Sequence, residues 1–521
     1  MEPKHQKKVF QAMEQPDFYP HPVTCVEKCE THISKVFLTG SYVYKIKKAV
    51  NLEFLDFSTL KKRRHFCRRE LSLNRRLTNN IYLNVVAITF KEGRYYLEAP
   101  GNPVEYAVKM RRLADDCSMS VLLRRSKIDS NAVQDLALRL VEFYNRASVV
   151  EYDNDLGSWE TIRTNCEENF RLAEKFAGEI FNERKFQIVR AATRSFLIRR
   201  KALFQRRMKQ GKIRDCHGDL RTEHIYFTAD GIQIIDCIEF NESLRCQDIT
   251  SDIAFLLMDF DYEGFPQIGR HLLNAYIEQT KDRDVFTLLD FYKCYRAFVR
   301  CKVNCLRLIE SDLGKYEKSK LLRETTKYLE LAYSYAVLFT RPVLWIVCGM
   351  PASGKSTISK ELAKVFDIKV YHSDVIRKEL FGMQPNDSSV MPFEEGIYSQ
   401  NATSLTYGKL LFMAQEEIEK GNSVILDATY SVRRHRNEAL RLARDKDVNI
   451  IFAECISPEN LLKVRLLKRE KELSVSDARL DHFKQFRKRF EPVNEVRDEI
   501  HIHVDTANPV KECIQQILSH D

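Results

Sequence analysis

Gly349-Met350-Pro351-Ala352-Ser353-Gly354-Lys355-Ser356-Thr357 decides the fold of the last third of this chain. The stretch fits G-x-x-x-x-G-K-[ST], follows the apolar run Leu344-Trp345-Ile346-Val347-Cys348 and opens a helix-like segment. That strand–loop–helix setting is the context the motif requires. Glycines let backbone N–H groups turn inward around phosphate oxygens, and the helix N-terminus adds partial positive charge. The expected ligand is Mg-ATP. Gly349, Ala352, Ser353 and Gly354 belong to the cradle and Thr357 closes the motif. Lys355 can reach the β- and γ-phosphates, and the Ser356 hydroxyl can ligate Mg²⁺.

Around this loop, residues 343–521 read as strands alternating with helices, with strand-like runs at Lys369 to Tyr371, Ser423 to Leu426, Ile450 to Glu454 and Ile500 to Val504. Such alternation predicts a doubly wound parallel sheet. In these sheets ligands bind outside the carboxyl ends of the strands, which makes the residues there candidates. Asp374, in His372-Ser373-Asp374, is placed to accept a hydroxyl proton, and Arg377 one turn on to hold an acidic group. A plain helix N-cap is an equal reading for Asp374. Asp427 ends Val424-Ile425-Leu426 at a place suited to Mg²⁺. Arg465 and Arg469, four apart, suit a phosphate-clamping lid; alone they read as a solvated face.

Together these residues resemble the small P-loop kinases related to polynucleotide kinase and zeta-toxin-type kinases, over about residues 343–505. The resemblance implies Asp374 as general base, Arg377 as substrate contact, and Arg465 or Arg469 as lid arginine.

Upstream, residues 20–112 alternate short strand-like runs with one charged helix near 58–77, and 115–335 are mainly helical in period. A loop–strand passage at 215–240 interrupts the helices, with Asp230-Gly231 as a hairpin turn. It contains Cys216-His217-Gly218-Asp219-Leu220-Arg221-Thr222-Glu223-His224, then Ile234-Ile235-Asp236-Cys237-Ile238-Glu239. The passage resembles the catalytic loop and metal-binding strand of aminoglycoside phosphotransferase and choline-kinase-like enzymes. That resemblance implies Asp219 as the acceptor base, Asp236 as a metal ligand, Lys45 as the phosphate-gripping strand lysine and Glu70 as its ion-pair partner. Lys47 competes with Lys45, because both point to one strand face. His224 occupies the metal position where the family has Asn, and imidazole is a poor Mg²⁺ ligand, for which Glu239 or a water could compensate.

The tandem is similar over nearly the whole chain to bacterial bifunctional aminoglycoside-phosphotransferase-like/ATP-binding proteins, including Thr31 to Gly40 and Leu55 to Leu60. The implied fold is α+β followed by α/β. A protein-kinase-like bilobal domain (N-lobe 1–112, helical C-lobe 113–340) precedes a doubly wound P-loop kinase-like domain at 341–521, split at Arg341-Pro342.

At 521 residues, two or three domains are expected. A net charge of +10 is moderate. Its sharpest cluster, Lys61-Lys62-Arg63-Arg64 with Arg68-Arg69, is a solvated helix face or a nucleic-acid contact. Fourteen cysteines without metal-site spacing, no secretory signal and no long apolar run predict a reduced, cytoplasmic protein. The sequence thus predicts an ATP- and Mg²⁺-dependent phosphotransferase acting on a hydroxyl of a small molecule or nucleic-acid end, with a second kinase or pseudokinase site. The alternative is a regulatory P-loop ATPase with a substrate- or RNA-binding kinase-like domain. Neither acceptor nor oligomeric state is legible.

Overall fold

The computed structural model describes residues 3–52, 55–152, 154–309, 313–366, 368–384, 395–470 and 479–518. The chain divides into two compact units between Ala336 and Val337, with Arg283–Thr287 grouped in the second.

After an N-terminal helix over Pro3–Met13, unit 1 forms a six-stranded antiparallel sheet. Its strands are β1 (Glu27–Glu30), β2 (Ser34–Thr39), β3 (Tyr42–Lys47), β4 (Tyr82–Lys91), β5 (Arg94–Leu97) and β6 (Pro103–Arg111), in the order β1-β2-β3-β6-β4-β5. Strand alternation explains β3. Tyr44 and Ile46 enter a core with Phe37, Val86 and Ala107, while Lys45 and Lys47 point to the other face. Helix α1 (Leu60–Asn74) packs against β4 and β6, its N-terminus capped by Thr59, which accepts from Lys62 N. The cap fixes the register that buries Cys67 and Glu70.

Helices dominate the rest of unit 1. Among them α2 (Ile249–Glu263) is buried at every residue from Ile249 to Phe260, an apolar majority interrupted by buried Thr250, Ser251, Asp252 and Asp259. Ahead of it lies a hairpin of β7 (Ile225–Thr228) and β8 (Gly231–Ile234). Its two-residue turn is Ala229-Asp230, one residue earlier than the sequence suggests, because Gly231 already pairs with Thr228.

Unit 2 is a five-stranded parallel sheet of β9 (Val343–Cys348), β10 (Lys369–His372), β11 (Val424–Asp427), β12 (Asn449–Ile456) and β13 (His501–Asp505), ordered β10-β11-β9-β12-β13. Separate cores lie on its two faces, which is why β9 is apolar throughout and β11 is apolar up to its terminal Asp427. Helix α3 (Lys355–Phe366) covers the face of Trp345 and Val347 with Ile358, Leu362 and Val365. On the other face, α5 (Gln400–Glu419) lays Tyr407, Leu410 and Ala414 over Leu344, Ile346 and Cys348. Between β10 and α5 runs α4 (Ser373–Leu380), and α6 (Glu459–Glu470) follows β12.

Candidate phosphate-binding sites

In unit 2 the loop after β9 has the backbone of a phosphate cradle. Gly349 has φ +132°, and a Cβ there would meet the Cys455 carbonyl at 2.4 Å. Gly354 has φ +89°, and a Cβ there would come within 3.3 Å of Thr506. Ala352 also takes the left-handed region at φ 64°, a conformation costly for a residue with a Cβ and concentrated at functional loops. The Ser353 side chain is buried and its Oγ has no hydrogen-bond partner among the described residues. Lys355 Nζ donates to the Met350 carbonyl at 2.9 Å, and Ser356 and Thr357 are exposed in the first turn of α3.

Two strand ends flank this loop. Asp427, buried at the end of β11, accepts from His372 Nδ1 at 2.7 Å, and the two residues are register partners. Asp374 stands in the first turn of α4, whose N-cap is His372, so the capping position is not the one Asp374 fills. Arg377 is buried instead of open to the crevice. It donates to the Ile397 carbonyl at 2.8 Å and Thr403 Oγ1 at 3.2 Å, and its guanidinium lies 5.0 Å from the Tyr398 ring centre.

Arg465 turns toward the loop's own backbone. It donates to the Thr506 carbonyl at 2.6 Å, to Ser457 Oγ at 3.2 Å and to the Ala352 carbonyl at 3.4 Å. Thr506 Oγ1 in turn donates to the Ser353 carbonyl at 2.7 Å. The side chain of Arg469 lies outside the described residues.

In unit 1 the site is a cage of charges. Lys45 Nζ lies 2.9 Å from Glu70 and also binds Asp236. Lys47 donates to the other Glu70 oxygen at 2.8 Å and pairs with Glu239, so both lysines share one fully buried carboxylate. Burial opposes charge on Lys45, yet Asp236 and Glu70 outweigh it and hold the amine well above its usual range. Burial likewise pushes Asp236 up, and Lys45 overrides it to hold the carboxyl far below the usual range. Glu239 goes the other way, because burial outweighs Lys47 and raises it. Asp236 itself has φ 67°, the left-handed region.

Asp219 is held in a fork. Arg221 Nε and Nη2 donate to its two oxygens at 3.0 and 3.1 Å. Burial pushes the Asp219 carboxyl up, and the Arg221 charge overrides that to hold it far below the usual range. His224 Nδ1 bonds the Asp219 carbonyl at 2.8 Å, and its Nε2 lies 3.8 Å from Asp236 Oδ2. Beneath, α2 holds the loop through two buried carboxylates. Asp252 accepts from His217 N at 3.0 Å and Gly218 N at 2.8 Å; Asp259 accepts from Thr222 N at 2.8 Å and Oγ1 at 2.6 Å.

The structure therefore gathers Lys45, Lys47, Glu70, Asp236, Glu239, Asp219 and His224 in one cage and its flank. Arg221, Asp252, Asp259 and His372 escaped the sequence reading. Asp252 and Asp259 left a signal, since two carboxylates seven apart share a face of an otherwise apolar helix.

A family model described as an AAA domain matches residues 344–493. An uncharacterized protein of Mycobacterium tuberculosis is 29% identical over 454 residues, covering 86% of this chain and 88% of that protein. An uncharacterized Mycobacterium bovis protein matches with the same figures. Among solved structures, a choline/ethanolamine kinase family protein from Mesorhizobium loti aligns at TM-score 0.38 and 11% identity, over 64% of this chain and 99% of its own. A sugar kinase from a Janibacter species aligns at TM-score 0.28 and 19% identity, over 34% and 94%. Scores this low assign no activity. Among the described residues no helix is long and apolar enough to cross a membrane.

Proposed function

We propose that unit 2 is a phosphotransferase that moves the γ-phosphate of ATP to a hydroxyl on a small molecule or nucleic-acid end. The observation that carries this is convergence at one end of a parallel sheet. The loop follows β9, Asp427 ends neighbouring β11, and Asp374 opens the helix after β10, the next strand out. The donor set fits nucleotide and Mg²⁺. Two glycines stand where a Cβ would press on the wall behind the loop at Cys455 and Thr506, Ser353 Oγ is buried with no hydrogen-bond partner among the described residues, and a hydroxyl and a carboxylate are available as oxygen ligands. Mg-ATP, when bound, supplies the transferable phosphoryl group with part of its charge neutralised.

The residues then divide the work. Backbone N–H groups of the loop and the α3 N-terminus hold phosphate oxygens, and Lys355 adds a positive charge to the same cluster. Ser356 and Asp427 hold Mg²⁺, with His372 fixing the orientation of Asp427. Asp374 takes the acceptor's proton as the new P–O bond forms and the bond to the ADP oxygen breaks. Arg465 keeps the loop closed on Thr506 instead of touching substrate, and Arg377 supports α4 through Ile397 and Thr403.

For unit 1, the fork of Arg221 on Asp219 favours a kinase-like site that recruits or senses nucleotide over one that transfers phosphate. A carboxylate already paired with a guanidinium is a poor proton acceptor.

Transfer of radiolabelled γ-phosphate should be screened over a metabolite and RNA-end panel with Lys355→Ala and Asp219→Ala side by side. Lys355→Ala is expected to lower transfer by ~100-fold or more, and Asp219→Ala to leave it in place. Loss in Asp219→Ala alone would move the active site to unit 1. ATP turnover with no labelled acceptor would sink the phosphotransferase reading in favour of a regulatory ATPase.

A further inference from the structure

We propose that unit 2 carries a separate binding site for a divalent transition metal of the zinc class, formed by Glu454, His501 and His503 on the sheet face opposite α3. Strand alternation puts the three together. In β13, Ile502 and Val504 enter the core under α3, so His501 and His503 point to the opposite face. In β12, Ala453 and Cys455 belong to that same α3 core, which turns Glu454 away from it as well. The parallel register makes Glu454 the partner of His503 and Phe452 the partner of His501. One carboxylate therefore faces two imidazoles spaced two residues apart.

The distances suit an ion. Glu454 Oε2 lies 2.9 Å from His501 Nε2 and 3.6 Å from His503 Nδ1, and one ligand atom from each residue falls within 4.8 Å of the others. A tetrahedral ion bound at ~2.0–2.1 Å to each ligand holds its ligand atoms about 3.4 Å apart. The two carboxylate–imidazole distances bracket that value. Two nitrogens and one oxygen form a borderline donor set that suits zinc, cobalt or nickel and is poor for Mg²⁺ or Ca²⁺, which take oxygen.

Exposure sets the site's character. His501 is 4% exposed and Glu454 13%, so the strands fix both, while His503 is 61% exposed and leaves a coordination position open to water. The site is distinct from the phosphate cradle, whose helix α3 covers the other face of the sheet. The two are linked through backbone all the same. Cys455, next to Glu454, carries the carbonyl that crowds Gly349, and Thr506, just beyond β13, grips the Ser353 carbonyl. An ion clasping β12 to β13 braces the wall against which the phosphate loop is built.

The test is Zn²⁺ binding to the full chain by equilibrium dialysis with excess Mg²⁺ present, together with Co²⁺ titration followed by its visible d–d absorption. His503→Ala is the informative variant because its side chain is largely in solvent and the fold does not depend on it. Asp427→Asn and Asp236→Asn report on the two nucleotide sites. The expected result is one Zn²⁺ equivalent that Mg²⁺ does not displace. His503→Ala should weaken it by at least the 10–100-fold that loss of an outer-shell partner costs, and both Asp variants should retain it. Zn²⁺ should also raise the melting midpoint of unit 2 in the parent chain and not in His503→Ala. Absence of bound Zn²⁺, equal binding by His503→Ala, or its loss in either Asp variant would overturn the proposal. The first two would leave Glu454 as a hydrogen-bonded partner of His501 lying near His503 and nothing more.

Discussion

The sites of the two units are built at opposite scales of the sequence. Around Lys45 every partner is distant, and its pairing with Asp236 spans 191 residues. Around Lys355 the cradle is nine consecutive residues whose shape comes from local dihedrals at Gly349, Ala352 and Gly354. A cage of ion pairs exists only once the segments on both sides of it, around residues 45–70 and 236–239, have folded together, and its charges satisfy one another until a ligand competes for them. A loop of backbone donors has little such internal compensation to undo. On the proposed reading, nucleotide binding in unit 1 would entail rearranging charge, and in unit 2 mainly filling a shape.

The most disruptive way to probe the contrast is Glu70→Ala. It leaves two buried lysines short of their shared carboxylate and should cost unit 1 about 3–5 kcal/mol. Urea unfolding read by hydrogen exchange should show unit 1 opening early while unit 2 holds. Equal opening of both units would mean the cage is not what stabilises the first.

Next is Arg221→Ala, which deprives Asp219 of charge-assisted hydrogen bonds and should cost ~1.5–3 kcal/mol at neutral pH. Asp219 is held below its unfolded value of ~3.9, so its contribution is present above that pH and fades as pH falls below it. The variant should have a flatter acid limb in stability followed by circular dichroism from neutral pH downward. An unchanged limb would remove Arg221 as the cause.

In unit 2, Gly349→Ala forces a Cβ against the Cys455 carbonyl in a left-handed backbone and should cost ~1–3 kcal/mol. Titration with a fluorescent ATP analogue should lose the unit 2 signal and keep any unit 1 signal. Smallest is Thr59→Ala, which uncaps the helix that presents Glu70 and should lower unit 1's stability by ~1 kcal/mol. A thermal melt suffices to detect it.

The same contrast explains what could be read in advance. The phosphate loop was legible because its chemistry and geometry are contiguous, and the parallel sheet was legible because strands buried on both faces are apolar throughout. On the sequence the resemblance favoured Lys45, with Lys47 competing from the same strand face. The structure uses both, dividing Asp236 and Glu239 between them. Arg221 sat inside the quoted stretch, yet nothing in an Asp-x-Arg spacing distinguishes a fork from a solvated arginine. Arg377 and Arg465 were placed on the right elements, but whether a guanidinium faces a crevice or a carbonyl depends on packing absent from the sequence. Glu454 and the two histidines lie 47 and 49 positions apart and meet only through strand register.

Thr506 carries one more consequence, in time. It bonds a loop carbonyl 153 positions earlier in the chain. A ribosome adding about 5–20 residues per second would expose the loop roughly eight to thirty seconds before its wall arrived. Nucleotide would thus meet a finished pocket only after the last strand of the sheet has emerged, making occupancy a late event in the birth of this chain.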